Sequence, residues 1–225
     1  MKTFLAFFAS LFTGAAEPTI PAGPLRISGE GRALIVEFET GGRAYYDKAL
    51  RRPSWPGGAS GVTVGIGYDV GYNTRSQILD DWAGLPESSR NALAGAAGVK
   101  GVAARSRASA LKWIVVPWDT AERVFVARTM PRFGGYTDRA FPGITSKHGH
   151  VQGALLSIVF NRGASMSGGS RREMRAVRSH VATGNIRAIP AEIRSMKRLW
   201  IGKGLSGLLR RRDAEAALVD RSLTR

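Results

Sequence analysis

Two carboxylates and a glycine-rich run between them set the chemistry open to this chain. Glu39 lies in Phe38-Glu39-Thr40-Gly41-Gly42, and Asp69 lies in Ser60-Gly61-Val62-Thr63-Val64-Gly65-Ile66-Gly67-Tyr68-Asp69-Val70-Gly71. Hydrolysis of a glycosidic bond needs such a pair: one carboxyl that keeps its proton for the leaving oxygen, and one ionised partner that activates water or stabilises positive charge. Gly65 and Gly67 would let the backbone approach a substrate closely. Asp47 is the alternative second carboxylate, since it sits between the two segments. Glu37, two residues from Glu39, points to another helix face and reads as a surface charge. Taken alone, Asp69 ahead of Gly71 would suit a turn and Thr63 an ordinary strand position; the company of Glu39 gives them a chemical reading.

The elements that must hold these residues follow from the local patterning. Ser28 is a helix cap, and the helix it starts runs through Gly31 to Phe38 and stops at Gly41-Gly42, so Glu39 stands at a helix end. From Ala44 to Tyr72 the chain turns to Gly, Pro, Ser and aromatic residues, and Val62 to Tyr68 has the β-branched look of a short strand or hairpin. Helical patterning then returns in short segments over 76–82, 88–97 and 108–114. A longer helix is expected over 120–129, capped by Asp119 and stopped by Pro131. Gly149 to Phe160 is apolar on most sides and reads as a buried central helix. Helices over 172–183, 190–199 and 205–222 complete an α+β fold that is mostly helical with a small N-terminal β lobe.

Glu39 followed by Arg43 and Tyr46, then Thr63-Val64-Gly65-Ile66-Gly67, resembles the start of phage-type lysozymes. The longer run from Ser60 to Gly71 is more similar to the pesticin-like branch of these muramidases. Phe141-Pro142-Gly143, the helix from Ala154 to Asn161-Arg162-Gly163, and Gly207 to Leu218 with its Arg210-Arg211-Arg212 follow in the family's order. The likeness spans about residues 29–222, although the stretch from Pro86 to Thr120 matches nothing in it. It implies a lysozyme-like fold and cleavage of the β-1,4 bond between N-acetylmuramic acid and N-acetylglucosamine. It further implies Glu39 as general acid, with Asp69 and Thr63 positioning the water that attacks with inversion. Asn161, Arg162 and Tyr68 become substrate-binding candidates, and Arg211 or Arg212 a brace for Glu39. Plain phage lysozymes place the working Asp before the Thr, which would select Asp47. Here Arg51 to Ser60 breaks that spacing, and Asp69 is the better match.

Composition bounds the setting. Of 225 residues, 33 are Lys or Arg and 17 are Asp or Glu, a formal net charge of +16 that draws the chain to polyanions. There is no cysteine, which removes thiol nucleophiles, disulfides and Cys-based zinc sites. Residues 1–16 (Met1-Lys2, an apolar run, then Gly14-Ala15-Ala16) read as a signal peptide or a releasable anchor, 17–28 as a proline-rich linker, and 29–225 as the catalytic domain. The expected protein is exported, periplasmic or secreted, monomeric and able to touch a membrane transiently through its N-terminus. Its expected partners are peptidoglycan and the anionic bacterial envelope.

No metal or other cofactor is expected, because His148-Gly149-His150 offers two histidines without a third ligand. Nucleic acid is not expected either, in the absence of a zinc finger, an RNP-type strand or a basic zipper. Among the tryptophans, Trp55 alone falls in the loop beside the expected cleft. The arginine runs around Arg171 to Arg178 and Arg210 to Arg212 read as solvated helix faces that face an anionic envelope. The competing functions are a lytic transglycosylase on the same fold and a non-catalytic cationic envelope-binding protein.

Overall fold

A computed structural model describes residues 19–224. The expected leader, 1–16, lies outside the described residues. The described chain is mostly helical, with two small two-stranded antiparallel sheets.

The first sheet corrects the linker expected over 17–28. Thr19–Ala22 (β1) and Leu25–Ser28 (β2) pair antiparallel from Thr19 opposite Ser28 to Ala22 opposite Leu25. Gly23-Pro24 makes a two-residue turn, with Gly23 at φ +65°, the glycine-first arrangement that suits strand twist. Leu25 and Ile27 are buried while Arg26 between them is exposed. That period-two alternation was hidden by the prolines, and Pro21 is tolerated because its strand is an edge.

Ser28 then caps Gly29–Thr40 (α1), its Oγ accepting from the Gly31 N–H at 3.0 Å, and Gly41 closes the helix in the left-handed conformation at φ +67°. Arg43–Tyr45 (α2) is a single turn that runs into a π-helical stretch, Tyr46–Leu50. The expected β lobe is largely loop. Its second sheet is only Thr63–Val64 (β3) against Tyr68–Asp69 (β4).

Short helices follow at Arg75–Asp81 (α3), Glu87–Ala94 (α4) and Val102–Ala110 (α5). α5 starts six residues before the segment expected at 108–114, because its buried face is made of Ala104 and Ala108 rather than large apolar residues. Trp118–Val124 (α6), a π-helical turn at Phe125–Thr129 and Met130–Ala140 (α7) run on continuously past Pro131, which was expected to stop the chain. The wide turn resolves the conflict. The Met130 N–H reaches back to the Phe125 carbonyl, and Pro131 falls in the first turn of α7, where its missing N–H costs little. Asp119 lies in the first turn of α6 but does not cap it; Pro117 occupies the cap position.

Gly149–Arg162 (α8) is the central helix, buried from His150 to Val159. It packs on β2, α1 and α7, and on Ser206–Arg221 (α11). Arg172–Thr183 (α9) and Ile189–Ser195 (α10) close the other end. Where α1 crosses α8, Gly31 meets Gly153 so closely that a Cβ on Gly153 would fall 2.8 Å from the Gly31 Cα. This contact seats α1 against the core helix and fixes where its last turn, with Glu39, must lie.

Candidate active site

Glu39 occupies the last turn of α1, with its side chain one-fifth exposed. Its Oε1 accepts from Arg211 Nη1 at 2.6 Å, so α11 supplies the cation that α1 lacks at its C-terminal end. Its Oε2 faces the β3–β4 turn: a Cβ placed on Gly67 would stand 3.8 Å from that oxygen and 3.5 Å from the Phe160 ring. Glu39 and Gly67 each line a hollow. One, of about 760 Å³, is lined by Glu39, Asn161, Arg211 and the segment 204–208, which leads into α11. The other, of about 430 Å³, is lined by Gly67, Tyr68, Asp69, Arg132 and Tyr136 among others.

Thr63 and Asp69 are register partners in the small sheet, so their side chains leave the same face. The Asp69 carboxylate is anchored by backbone donors. Its Oδ1 accepts from the Gly71 N–H at 2.9 Å, and the Gly61 N–H reaches both oxygens, at 3.1 and 3.0 Å. Only glycine fits at position 61, since a Cβ there would come within 2.4 Å of the Asp69 Oδ1. The turn-forming role of Asp69 is therefore real, and it coexists with a place on the wall of the smaller hollow. Neither Thr63 nor Asp47 lines these hollows; Asp47 is half exposed and pairs with Arg43 at 3.8 Å.

Behind Glu39 stands a buried charge cluster. Glu215 is fully buried and takes the Ser157 hydroxyl proton at 2.6 Å on Oε1. Arg212, also fully buried, donates to the same oxygen from Nη2 at 2.9 Å and pairs through Nε with Oε2 at 2.8 Å. Burial pushes the Glu215 carboxyl upward, and the two guanidinium groups oppose that push. Burial likewise lowers the affinity of Arg212 for its proton, with the Glu215 charge opposing. Of the two arginines expected to brace Glu39, Arg211 does so and Arg212 serves Glu215.

The substrate-binding candidates divide. Asn161 is exposed on the larger hollow, its Oδ1 3.3 Å from Arg212 Nη2. Arg162 is turned away: it donates to the Ser170 carbonyl at 2.5 Å and stacks over Trp200 at 5.3 Å, and burial, then Arg171 and Arg212, lower its pKa to about 10. Arg162 thus lines neither of these hollows, and the Ser170 carbonyl and the Trp200 ring direct its side chain.

Tyr68 lines the smaller hollow but is almost wholly buried. It is 3% exposed, its hydroxyl donates to Asp81 Oδ2 at 2.8 Å, and burial first, then this bond, raises its pKa well above the usual tyrosine range. Tyr68 thus lines the hollow with its hydroxyl proton committed to Asp81. Trp55 spends its indole N–H on the Ser60 carbonyl at 3.1 Å. The histidine pair is also structural: His150 is buried with Nδ1 2.8 Å from the Ser28 Oγ, and His148 accepts from the His150 N–H.

Sequence reasoning missed Arg132 and Tyr136 on the smaller hollow, because a helix expected to stop at Pro131 does not reach them. Ser157 and Glu215 went unremarked inside the segments 154–163 and 207–218, although the i, i+3 and i, i+4 spacing of Arg212 and Arg211 to Glu215 was a signal for the cluster.

A family model described as a domain of unknown function (DUF8812) matches residues 35–123, a stretch that holds Glu39, Thr63 and Asp69 but not Arg211. No curated protein matches the chain.

Proposed function

We propose that this chain is a peptidoglycan muramidase with a lysozyme-like fold. The observation that carries the reading is a partly shielded carboxyl, Glu39, at a helix end. A guanidinium holds it, and it stands against a glycine turn whose flanking strands present Thr63 and Asp69 on one face. In this reading Glu39 protonates the glycosidic oxygen between N-acetylmuramic acid and N-acetylglucosamine. Asp69, oriented by the Gly61 and Gly71 N–H groups, and Thr63 hold the water that attacks the opposite ring face. Asn161 and Arg132 border the hollows in which flanking sugars would lie. An exported protein of net charge +16 would concentrate on the anionic envelope that contains its substrate.

A lytic transglycosylase is the second reading, favoured by one observation: the Asp69 carboxylate is engaged by three backbone contacts, as a purely turn-forming residue would be. That reaction needs only Glu39. The test is turbidity loss of outer-membrane-permeabilised Gram-negative cells with the wild type and Glu39→Gln, with mass spectrometry of the released fragments. Lysis by the wild type alone with reducing N-acetylmuramic ends supports the muramidase; anhydro ends convert it to a transglycosylase. Equal lysis by both proteins removes Glu39 as the acid and moves the function to a non-catalytic cationic envelope binder.

A further inference from the structure

Glu215 lines neither hollow, yet two arginines are turned onto it at the centre of the fold. A buried carboxylate of this kind is costly unless its partners do something with the charge. The geometry of Arg211 shows what that is. Its Nε lies 3.3 Å from Glu215 Oε1 and 3.2 Å from Ser157 Oγ. Its Nη2 donates to the Ser157 carbonyl and approaches the Ser157 Oγ, both at 3.1 Å. One edge of the planar group is thereby occupied, and the remaining nitrogen, Nη1, is the one on Glu39. Ser157 gives its only proton to Glu215 at 2.6 Å, so the lone pairs of its oxygen are left to receive Arg211. Arg212 holds Glu215 from the other side, and the Phe38 ring lies 5.6 Å from the Arg211 guanidinium carbon.

We infer that Ser157 and Glu215 form a clamp that aims Arg211 Nη1 at Glu39, making both of them positioning residues for the acid. The inference rests on Glu39 being that acid, but the clamp itself is testable without catalysis. A guanidinium held along one edge rotates slowly about its Nε–Cζ bond, whereas a lysine or a loose arginine supplies charge without direction.

Nitrogen-15 spectra of the full chain should therefore show resolved, slowly exchanging Nη protons for Arg211, assigned by their loss in Arg211→Lys. Ser157→Ala, which leaves Glu215 and the Ser157 carbonyl path in place, should average those signals. In the same samples it should lower kcat on purified peptidoglycan about tenfold with KM within about twofold, since misaimed catalytic groups cost rate rather than binding. Arg211→Lys should show the same kcat-selective loss. Glu215→Gln tests the carboxylate directly, and Ser157→Ala keeps the inference falsifiable where Glu215→Gln fails to fold. Resolved Arg211 signals with unchanged kcat in Ser157→Ala would overturn the clamp, as would a loss of activity that only tracks the unfolded fraction. If the wild type releases no glycan fragments while Ser157→Ala still averages the Arg211 signals, the clamp stands and the muramidase reading falls.

Discussion

Glu39 and the oxygen atoms around it make the sharpest predictions. Glu39→Gln keeps an acceptor for Arg211 but has no proton to give, so turnover should fall by about 10²–10⁴-fold with the melting temperature little changed. On the proposed muramidase reading, Asp69→Asn should lower turnover strongly, while Asp47→Asn, altering a half-exposed ion pair, should stay near wild type. The comparison of the two in one kinetic series decides between the carboxylates. The types and order of Glu39, Thr63 and Asp69 were legible because short motifs carry them. What Tyr68 and Arg162 do was not, because a side chain's partner (Asp81 for one, the Ser170 carbonyl for the other) is fixed by tertiary contacts that no local pattern encodes.

A second residue-scale effect concerns acid. Burial of Glu173 pushes its pKa up, but hydrogen bonds from Arg198 and Arg172 outweigh that and hold it at about 2, against an ordinary 4.5. Its folded value is depressed, so its contribution to stability is complete above about pH 4.5 and is lost as pH falls through about 2. Acid titration of Glu173→Gln, followed by circular dichroism, should show a protein less stable near neutrality whose stability falls less steeply across that window.

At the scale of elements, the helix-on-helix contact between α1 and α8 is the joint on which the site depends. Gly153→Ala would drive a methyl against the Gly31 backbone, a contact no side-chain rotation relieves, and should destabilise the fold by about 1–3 kcal/mol in denaturant unfolding. The ends of α1 were legible because caps are local: Ser28 and Gly41 do what their types predict. The β1–β2 hairpin was not legible, since four-residue strands are too short for their alternation to stand out among prolines and are made stable by packing on α7 and α8. The run-on of α6 into α7 past Pro131 was hidden for another reason. A π-turn is set by register, which the rule that proline ends helices does not consider.

For the molecule as a whole, charge and topology govern behaviour. With a net charge of +16, binding to purified cell walls should weaken several-fold as salt is raised past physiological strength, where the screening length is about 8 Å. Pull-down on walls with Glu39→Gln measures this apart from turnover, and salt-independent binding would leave specific contacts in charge instead. The α+β class was legible from patterning alone. The packing of β2, α1, α7 and α11 around α8 was not, because it joins segments far apart in the chain.

That separation has a consequence for the order of synthesis. Glu39 and the arginine that holds it are 172 residues apart. A growing chain exposes Glu39 early, yet cannot complete its setting until α11 has left the ribosome and docked. The cell that makes this protein therefore carries unfinished copies in which Glu39 lacks its guanidinium, and the assembled charge pair arrives only with the last helix.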